Sequence, residues 1–330
     1  MTERVAFSLT VIVPTLRRVD DLARCLSALG WQQRVADEVL VTVQEGDHET
    51  REFLERWATD RESTHVREVR LYRPGLVRAL QRGAEEASGD VLVFIDDDAV
   101  PRPDWLRRIE AHFLADPLVV GVGGRDWVHE LGQTLDGSTE EVGRVKWYGK
   151  LVGNHHLGVG LARRVDLLKG VNMAFRREPL LSVGFDERLR GSGAQVGNEI
   201  AVCLPLRRAG WELVYDPAVA LDHYPSVRHD ADKRYVFEFG PNVDATHNET
   251  LPVLEHLGWP RRWVYLCWAL GVGTRRSWGL AQFFRFLPSR GVRAFPQLWA
   301  AWRGRWLAFR TARRGRAAGA EVMRPSGVAC

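Results

Sequence analysis

Hydrophobic residues follow two alternating patterns over the first hundred positions of the chain. A near-continuous apolar run predicts a buried strand at Leu9–Pro14, and further strands are predicted at Glu38–Val43, Val66–Tyr72 and Val91–Ile95. Apolar residues at intervals of three or four predict helices at Val19–Leu29, Glu49–Thr59 and Leu76–Ala87. Strands without polar alternation are typical of a parallel sheet that is covered on both faces. This order predicts a doubly wound α/β sheet that binds ligands at the carboxyl ends of its strands.

The pattern is less regular after Pro101. It predicts further elements: helices at Asp104–Leu114 and Ile200–Ala209, and strands at Val119–Gly124, Val171–Arg176 and Trp211–Tyr215. Residues 126–168 are rich in glycine, histidine and charge without a clear period. We expect them to form a long loop near a binding site, because loops of this length in a compact domain are usually functional.

Charge is divided unequally along the chain. The residues from His256 onward contain 14 arginines and one glutamate, a net charge of +13, whereas the preceding residues contain 32 basic and 41 acidic side chains, a net charge of −9. Seven of the 13 tryptophans also follow Glu255. Arginine mixed with tryptophan suits an anionic membrane surface. There are equal alternatives to a membrane. These residues can pack on the acidic part of the chain, shape an acceptor pocket or form a dimer interface.

Within this basic tail, apolar residues predict an interfacial amphipathic helix over Ala294–Arg314, with Leu298, Trp302, Trp306 and Phe309 at helical spacing. Nucleic acid is not an expected partner, because no recognition motif accompanies the basic residues and the rest of the chain is acidic.

Four scattered cysteines predict neither a disulfide framework nor a zinc site, and they suit a reducing compartment. The first apolar run ends in a Pro-Thr turn without a cleavage site, and no apolar stretch reaches the length of a membrane span. We therefore expect a cytoplasmic protein. Peripheral attachment to the inner face of the membrane is compatible with this expectation and is left open.

Three adjacent carboxylates, Asp96, Asp97 and Asp98, follow the apolar strand Val91–Ile95. Like charges at this spacing repel one another unless a cation lies between them. Mg²⁺ and Mn²⁺ prefer such oxygen ligands and complete their shells with diphosphate oxygens. The alternative is a solvated acidic turn or a helix cap. The position at the end of a buried strand favours the metal.

A series of motifs then occurs in a fixed order. They read SLTVIVPTL at 8–16, a strand ending Val41–Glu45, RPGLVRALQRGAEEASGDVLVFIDDD at 73–98, KGVNMAFRRE at 169–178, GFDERL at 184–189, NEIAVCLPLRRAGWELVYDP at 198–217 and ALDHY at 220–224. Together they resemble the inverting family 2 glycosyltransferases of the GT-A fold. The resemblance implies a nucleotide-diphosphate sugar donor and a divalent cation, Mn²⁺ or Mg²⁺. The acceptor, whether lipid, polysaccharide, peptide or natural product, is left open.

The resemblance also implies donor-binding residues. They are Pro14, Thr15, Gln44, Glu45, Gly75, Asp96, Asp97 and Asn172. Gln44 stands where the family usually has an acidic residue, so either Gln44 or Glu45 takes that role. Asn172 is a polar residue inside an apolar strand, which indicates a contact with donor or acceptor, with a satisfied core amide as an equal alternative. Asp96, Asp98 and His223 would supply the metal ligands, although a lone histidine can also be structural.

The general base is implied at Glu199, which stands where the family commonly has aspartate in the motif that here reads Asn198-Glu199. The alternative for Glu199 is a first-turn acid that complements the helix dipole. Asp186 in GFDERL is the reserve candidate, with a turn residue as its alternative. Pro205 departs from the family pattern, and we expect it to break the helix ladder one turn before Arg207 and Arg208.

The resulting domain prediction is a GT-A catalytic domain at 1–225, with a nucleotide-sugar half at 1–100 and an acceptor half at 101–225, followed by a helical basic and aromatic extension at 226–330. A nucleotidyltransferase is a competing hypothesis, but the first strand lacks the glycine-rich phosphate loop typical of that class. A membrane-associated scaffold with impaired catalysis is the other competitor, since Gln44, Asn198 and Pro205 depart from the family pattern.

Overall fold

The computed structural model describes residues 6–60, 66–130, 132–226, 236–315 and 322–325. Within these ranges the strands are β1 (Leu9–Thr15), β2 (Glu38–Gln44), β3 (Val66–Leu71), β4 (Val91–Ile95), β5 (Ala99–Pro101), β6 (Val119–Glu130), β7 (Gln133–Thr134), β8 (Arg144–Val145), β9 (Leu151–Val152), β10 (Arg163–Val165), β11 (Asn172–Arg176) and β12 (Glu212–His223). The α-helices are α1 (Val19–Gly30), α2 (His48–Asp60), α3 (Leu76–Glu86), α4 (Trp105–Ala115), α5 (Arg177–Val183), α6 (Asn198–Arg208), α7 (Phe239–His256), α8 (Trp259–Gly271), α9 (Leu280–Arg290) and α10 (Ala294–Arg314).

The central sheet has the order β10-β12-β6-β11-β4-β1-β2-β3, with β5 paired to β12 and β7 to β6. β1 runs parallel to β2 and β4, β2 runs parallel to β3, and β6 runs parallel to β12. β11 lies antiparallel between β4 and β6. The predicted mostly parallel sheet is therefore confirmed. Its topology brings the carboxyl ends of β1, β2, β4, β6 and β12 to one edge.

Alternating side chains of the central strands enter two separate cores. Ile12 of β1 and Phe94 of β4 pack in one core with α3, α5 and α6. Val13 of β1 and Ile95 of β4 pack in the other with α1 and α4. Both faces of the sheet are thus covered by helices, which explains why these strands read as unbroken apolar runs.

Two strands are longer than predicted, and residues 126–168 are not a loop throughout. β6 continues to Glu130 and β12 continues to His223. Between β6 and β11 lie β7, β8, β9, β10 and a short 3₁₀ helix at His155–Leu157. The prediction was wrong here because polar residues in these strands, such as Asp126, contact other polar side chains and therefore do not show the apolar alternation of a strand.

The expected break in the helix at Pro205 was wrong. α6 continues through Pro205 to Arg208, and its residues from Ile200 to Leu206 are buried. A proline removes one hydrogen bond from the ladder. The rest of α6 stays helical because it is buried on several sides, and helices in proteins depend more on tertiary packing than on propensity.

A helical C-terminal extension is present, as predicted. α7 packs against α6 and along α10. A small separate core of Trp278, Phe283, Ala294 and Ala301 joins the α8–α9 loop to α9 and α10. Among the described residues, no helix is long and apolar enough to cross a membrane. The predicted domain division stays a prediction, and residues 1–5, 61–65, 131, 227–235, 316–321 and 326–330 of the two predicted parts lie outside the described ranges.

Candidate active site

The aspartate triplet lies directly after β4, at the edge where the parallel strands end. Asp97 is only 3% exposed. Its carboxylate accepts hydrogen bonds from Thr15 Oγ1 at 2.7 Å and from Arg18 Nη1 at 2.9 Å. Burial raises the pKa of Asp97 to about 7, against the opposing effect of the Arg18 charge. Asp97 therefore connects the tip of β4 to the end of β1 and the loop that follows it.

Asp98 lies next to His223 because β5 pairs antiparallel with the end of β12, which places His223 opposite Ala99. His223 Nε2 lies 3.3 Å from Asp98 Oδ1, and its Nδ1 lies 3.8 Å from Asp126 Oδ2. Burial acts to lower the pKa of His223, but the two carboxylates outweigh it and raise the pKa to about 9. Burial likewise acts to raise the pKa of Asp98, and His223 lowers it overall.

Asp96, Asp98 and His223 fit a divalent cation. One ligand atom from each lies within 4.8 Å of the others. Asp98 Oδ1 and both ring nitrogens of His223 are buried without a hydrogen-bond partner among the described residues. Buried polar atoms of this kind call for an explanation such as an ion. Two carboxylates and an imidazole around one point form a reasonable ligand set for Mn²⁺ or Mg²⁺.

The candidate metal ligands line a cavity of about 1140 Å³. One wall comes from the carboxyl ends of β1 and β2 and the start of α3, through Pro14, Thr15, Gln44 and Gly75. Glu45 is exposed and lies outside this lining. Of the two positions left open by the sequence, only Gln44 is at the cavity.

Gly75 has a backbone conformation that side chains rarely adopt, with φ at +131°. A Cβ atom at this position would lie 2.9 Å from Gln195 Oε1. That oxygen accepts a hydrogen bond from the backbone N–H of Val77 at 3.0 Å, at the start of α3. Glycine thus permits the close contact that forms this part of the cavity wall.

Glu199 lies in the first turn of α6 and also lines the cavity. Burial raises the pKa of Glu199, while the positive charges of Lys169 and Arg276 act in the opposite direction. Lys169 itself forms an ion pair with the buried Asp126. A carboxylate with these surroundings can accept a proton from a bound hydroxyl group.

Besides Glu45, two candidates from the sequence lie outside the cavity lining. Asn172 is a core amide: its Oδ1 accepts a hydrogen bond from Trp105 Nε1 at 3.0 Å, and its Nδ2 donates to the carbonyl of Val219 at 2.9 Å. Asp186 is buried and forms an ion pair with Arg188. We leave both out of the proposed site because these contacts already engage their polar atoms in the fold.

The side chains of the two arginines after Pro205 form contacts outside the cavity. Arg207 Nη1 binds Glu212 Oε2 at 2.5 Å, and Arg208 Nη1 donates to the carbonyl of Glu255 at 3.0 Å. Neither is among the residues that line the cavity.

Several cavity residues were not singled out from the sequence. Among them are Arg18, Lys169, Arg275 and Arg276. Lys169 begins the motif KGVNMAF, so its position in a motif was the available signal. Nothing local to Arg275 and Arg276 distinguishes them from the other arginines of the basic tail, and only the packing of the extension brings them to the cavity.

Residues 7–251 match the family model described as "Glycosyltransferase like family 2". The chain belongs to the family 2 glycosyltransferases. The resemblance found in the motifs is thereby confirmed, and the match continues past Tyr224 through most of α7.

Proteins with similar sequences are also named as glycosyltransferases. The chain is 30% identical over 157 residues to a glucosyl-dolichyl phosphate glucuronosyltransferase of Haloferax volcanii, an alignment covering 45% of this chain and 47% of the relative. It is 25% identical over 315 residues to a pre-mycofactocin glycosyltransferase of Mycobacterium tuberculosis, covering 91% and 62%. This glycosyltransferase therefore spans less than two thirds of the length of either relative.

Solved structures show the same fold. The mannosyltransferase PcManGT from Pyrobaculum calidifontis, in complex with GDP-Man and Mn²⁺, aligns with a TM-score of 0.53 at 16% identity, covering 95% of this chain and 77% of that one. S. aureus TarS 1-349 in complex with UDP-GlcNAc aligns with a TM-score of 0.56 at 13% identity, covering 94% and 93%. The GT-A fold expected from the motifs is confirmed.

Proposed function

We propose that this family 2 glycosyltransferase transfers a sugar from a nucleotide-diphosphate donor to an acceptor hydroxyl with inversion at the anomeric carbon. The observation that carries the proposal is the shared cavity, in which the cluster of Asp96, Asp98 and His223 and the carboxylate of Glu199 both form the lining. The structurally similar proteins solved with GDP-Man and Mn²⁺ or with UDP-GlcNAc support a donor of this class.

The donor would lie along the carboxyl edge of the sheet. Pro14, Thr15 and Gln44 offer a wall for the nucleoside, and the tip of β4 would lie at the diphosphate. Asp96, Asp98 and His223 would hold Mn²⁺ or Mg²⁺, which when bound supplies positive charge that stabilises the departing diphosphate. Arg18 and Thr15 bind the Asp97 carboxylate, which is not part of the cluster, and connect it to the end of β1.

Glu199 would act as the general base. The acceptor oxygen forms a bond to the anomeric carbon, the bond from that carbon to the diphosphate oxygen breaks, and the acceptor proton moves to the Glu199 carboxylate. The positive end of the α6 dipole and the charges of Lys169 and Arg276 favour the ionised form of Glu199. Burial makes its carboxylate more basic than an exposed one.

We also propose that the extension rests on an anionic membrane surface. In α10 the buried stripe consists largely of small residues, while Trp299 and Trp306 are 61% and 54% exposed. Trp259 and Trp263 of α8 are exposed too. Large apolar side chains that face outward beside arginines match the chemistry of a lipid headgroup region. Charge complementarity with anionic phospholipids selects this occupant, given the net charge of +13.

A panel of nucleotide sugars tests the function. We expect at least one UDP- or GDP-sugar to raise the melting temperature with Mn²⁺ present more than without it, because a ligand of the native state stabilises that state. The same sugar should be hydrolysed slowly in the absence of acceptor. A folded protein that neither binds nor hydrolyses any member of the panel would instead support the non-catalytic scaffold.

A further inference from the structure

A glycine-rich loop lies immediately before the proposed general base. We call residues 190–197 the base loop. Five of its residues line the cavity, namely Ser192, Gly193, Ala194, Val196 and Gly197. Gly197 leads directly into the first turn of α6, where the backbone N–H of Ile200 donates to the Gly197 carbonyl at 3.2 Å. The position of Glu199 therefore depends on how the base loop is held.

One side chain within the base loop, that of Gln195, connects it to the structure around it. Gln195 Nε2 donates to the carbonyl of Leu189 at 3.0 Å, and its Oε1 accepts the N–H of Val77 at the start of α3, also at 3.0 Å. Gln195 has φ at +38°, a conformation that is strained for any residue with a side chain. Strain of this kind persists only where the surrounding contacts hold the backbone in one conformation.

Asn248 of α7 holds the base loop from the other side. Its side chain is fully buried and lies outside the cavity lining. Asn248 Oδ1 accepts the backbone N–H of Arg190 at 2.8 Å. Its Nδ2 donates to the carbonyl of Arg190 at 2.9 Å and to the carbonyl of Val196 at 3.2 Å. A single amide thus joins the first residue of the base loop to a residue near its end.

The neighbouring residue, His247, fixes the orientation of this amide. His247 Nδ1 lies 3.0 Å from Asn248 Oδ1, and its Nε2 lies 3.1 Å from Thr311 Oγ1 of α10. Burial lowers the pKa of His247 and favours the neutral ring. A neutral ring with its proton on Nδ1 donates to Asn248 Oδ1 and accepts from the Thr311 hydroxyl. The reversed amide would set its NH₂ group against two donors, so only one orientation satisfies the network.

A hydrophobic side chain could fill the space of Asn248 but could not hold the loop. Burying an amide costs free energy unless its hydrogen-bonding groups are satisfied. Each of its four hydrogen-bonding positions has a partner, and three of these partners are backbone groups of the base loop. A buried network that is satisfied in this way rigidifies a structure and specifies one arrangement. The C-terminal extension therefore sets the geometry of the base loop through α7.

We propose that Asn248 is a positioning residue for the sugar transfer: it holds the base loop so that the Glu199 carboxylate reaches the acceptor oxygen. This rests on the proposed function of the cavity. Asn248 acts through Glu199, because its own side chain is behind the cavity wall. A displacement of about 1 Å at a reacting group can lower the rate about 100-fold. The extension is thereby part of the catalytic machinery, in addition to its proposed contact with a membrane.

Hydrolysis of the nucleotide sugar selected from the panel tests the proposal on the full chain, since water then takes the place of the acceptor. Asn248→Ala should hydrolyse this sugar about 10- to 100-fold more slowly than the unmodified protein. Its Mn²⁺-dependent affinity for UDP or GDP should stay within about threefold, because distant sites act independently. In the Glu199→Gln background the same substitution should lower the rate by less than about threefold, because effects that act through one residue do not add.

The pH dependence gives a readout that general destabilisation would not move. Burial raises the pKa of Glu199. A loosened base loop admits water to this carboxylate and weakens the effect of burial. The acidic limb of donor hydrolysis should therefore lie at lower pH in Asn248→Ala than in the unmodified protein.

The matched control is Thr250→Val on the same helix. Thr250 is buried outside the cavity lining, and its hydroxyl lies 3.2 Å from the hydroxyl of Tyr265 instead of contacting the base loop. This variant should keep the unmodified hydrolysis rate and pH profile. If Asn248→Ala does not fold, Gln195→Ala loosens the same loop from within and should show the same loss of rate and the same lack of additivity with Glu199→Gln.

Amide hydrogen exchange tests the loop without any turnover. The N–H of Arg190 donates directly to Asn248, so residues 190–197 should exchange at least about tenfold faster in Asn248→Ala and at the unmodified rate in Thr250→Val. The proposal is overturned if this exchange is unchanged, if Asn248→Ala hydrolyses the donor as fast as the control, or if its loss of rate is undiminished in the Glu199→Gln background. Normal hydrolysis by Glu199→Gln would instead defeat the proposed base, and hydrogen exchange would still decide whether Asn248 holds the loop.

Discussion

Asp98 and His223 lie far apart in the sequence, yet His223 Nε2 is 3.3 Å from Asp98 Oδ1. The pairing of β5 with β12 creates this contact, and Asp126 of β6 lies on the far side of the imidazole. The backbone N–H of Ser226 donates to the other Asp98 oxygen at 2.9 Å. One oxygen of Asp98 is therefore anchored by the backbone, and the other is directed to the point where Asp96 and His223 meet.

Asp98→Ala should abolish cation-dependent binding of the nucleoside diphosphate. We expect the affinity measured by calorimetry with Mn²⁺ to fall at least about 100-fold, because even residues that only support metal ligands change affinity by about 10- to 100-fold. Asp136→Ala removes an exposed aspartate outside the cavity lining and should change nothing. Equal Mn²⁺-dependent affinity in both variants would remove Asp98 from the metal site.

Glu199→Gln should separate binding from turnover. The amide keeps the size of the side chain but cannot accept the acceptor proton, so we expect kcat to fall by about 10²- to 10⁴-fold while the nucleoside diphosphate still binds. Asp186→Asn provides the comparison, since the Asp186 carboxylate is committed to Arg188. In a folded Asp186→Asn protein we expect turnover within about tenfold of the unmodified rate. The reverse ranking of the two variants would assign the base to Asp186.

The pH dependence of turnover should report the environment of Glu199. Burial raises the pKa of Glu199 above the usual value of about 4.3 for glutamate. Only the carboxylate can accept a proton, so the rate should be full above this raised pKa and should decline as the pH falls through it. The acidic limb should be missing from the residual activity of Glu199→Gln. An unchanged acidic limb in that variant would show that another group titrates.

The exposed tryptophans of α10 should mediate binding to anionic vesicles. Trp299→Ser/Trp306→Ser should reduce co-sedimentation with phosphatidylglycerol vesicles at least about tenfold, because each large apolar side chain contributes about 1.5–3 kcal/mol when it is fully buried. Trp31→Ser is the matched control, since Trp31 is 80% exposed but follows α1, outside the C-terminal extension. High salt should weaken the binding by screening the arginines. Vesicle binding that survives the double substitution would place the contact elsewhere.

Asn172→Ala should lower stability and leave donor binding intact. The substitution leaves Trp105 Nε1 and the carbonyl of Val219 without their partner in the core. Each buried group left unpaired costs about 1–3 kcal/mol, which should appear as a reduced free energy of unfolding in urea. Calorimetry on the folded variant should give the unmodified affinity for nucleoside diphosphate and Mn²⁺. Loss of affinity without loss of stability would restore Asn172 to the donor site.

Local sequence was sufficient for most elements of the first hundred residues. The strands β1, β2 and β4 were predictable because both of their faces are buried, so that their sequences are mostly apolar. The position of the aspartate triplet followed from the same pattern, since the carboxyl ends of parallel strands meet at one edge. Motif order added the family, which the match over residues 7–251 confirms.

The tertiary structure decided which polar residues share the cavity. Asn172 and Asp186 occur in motifs, yet hydrogen bonds and an ion pair within the fold engage their side chains. Arg275 and Arg276 stand in a tail with many arginines, and only the packing of α7 to α10 selects these two for the cavity wall. Hydrophobic periodicity indicates which side of a helix or strand is buried. It does not record which distant polar group a side chain meets, because that depends on strand pairing and helix packing across the whole fold.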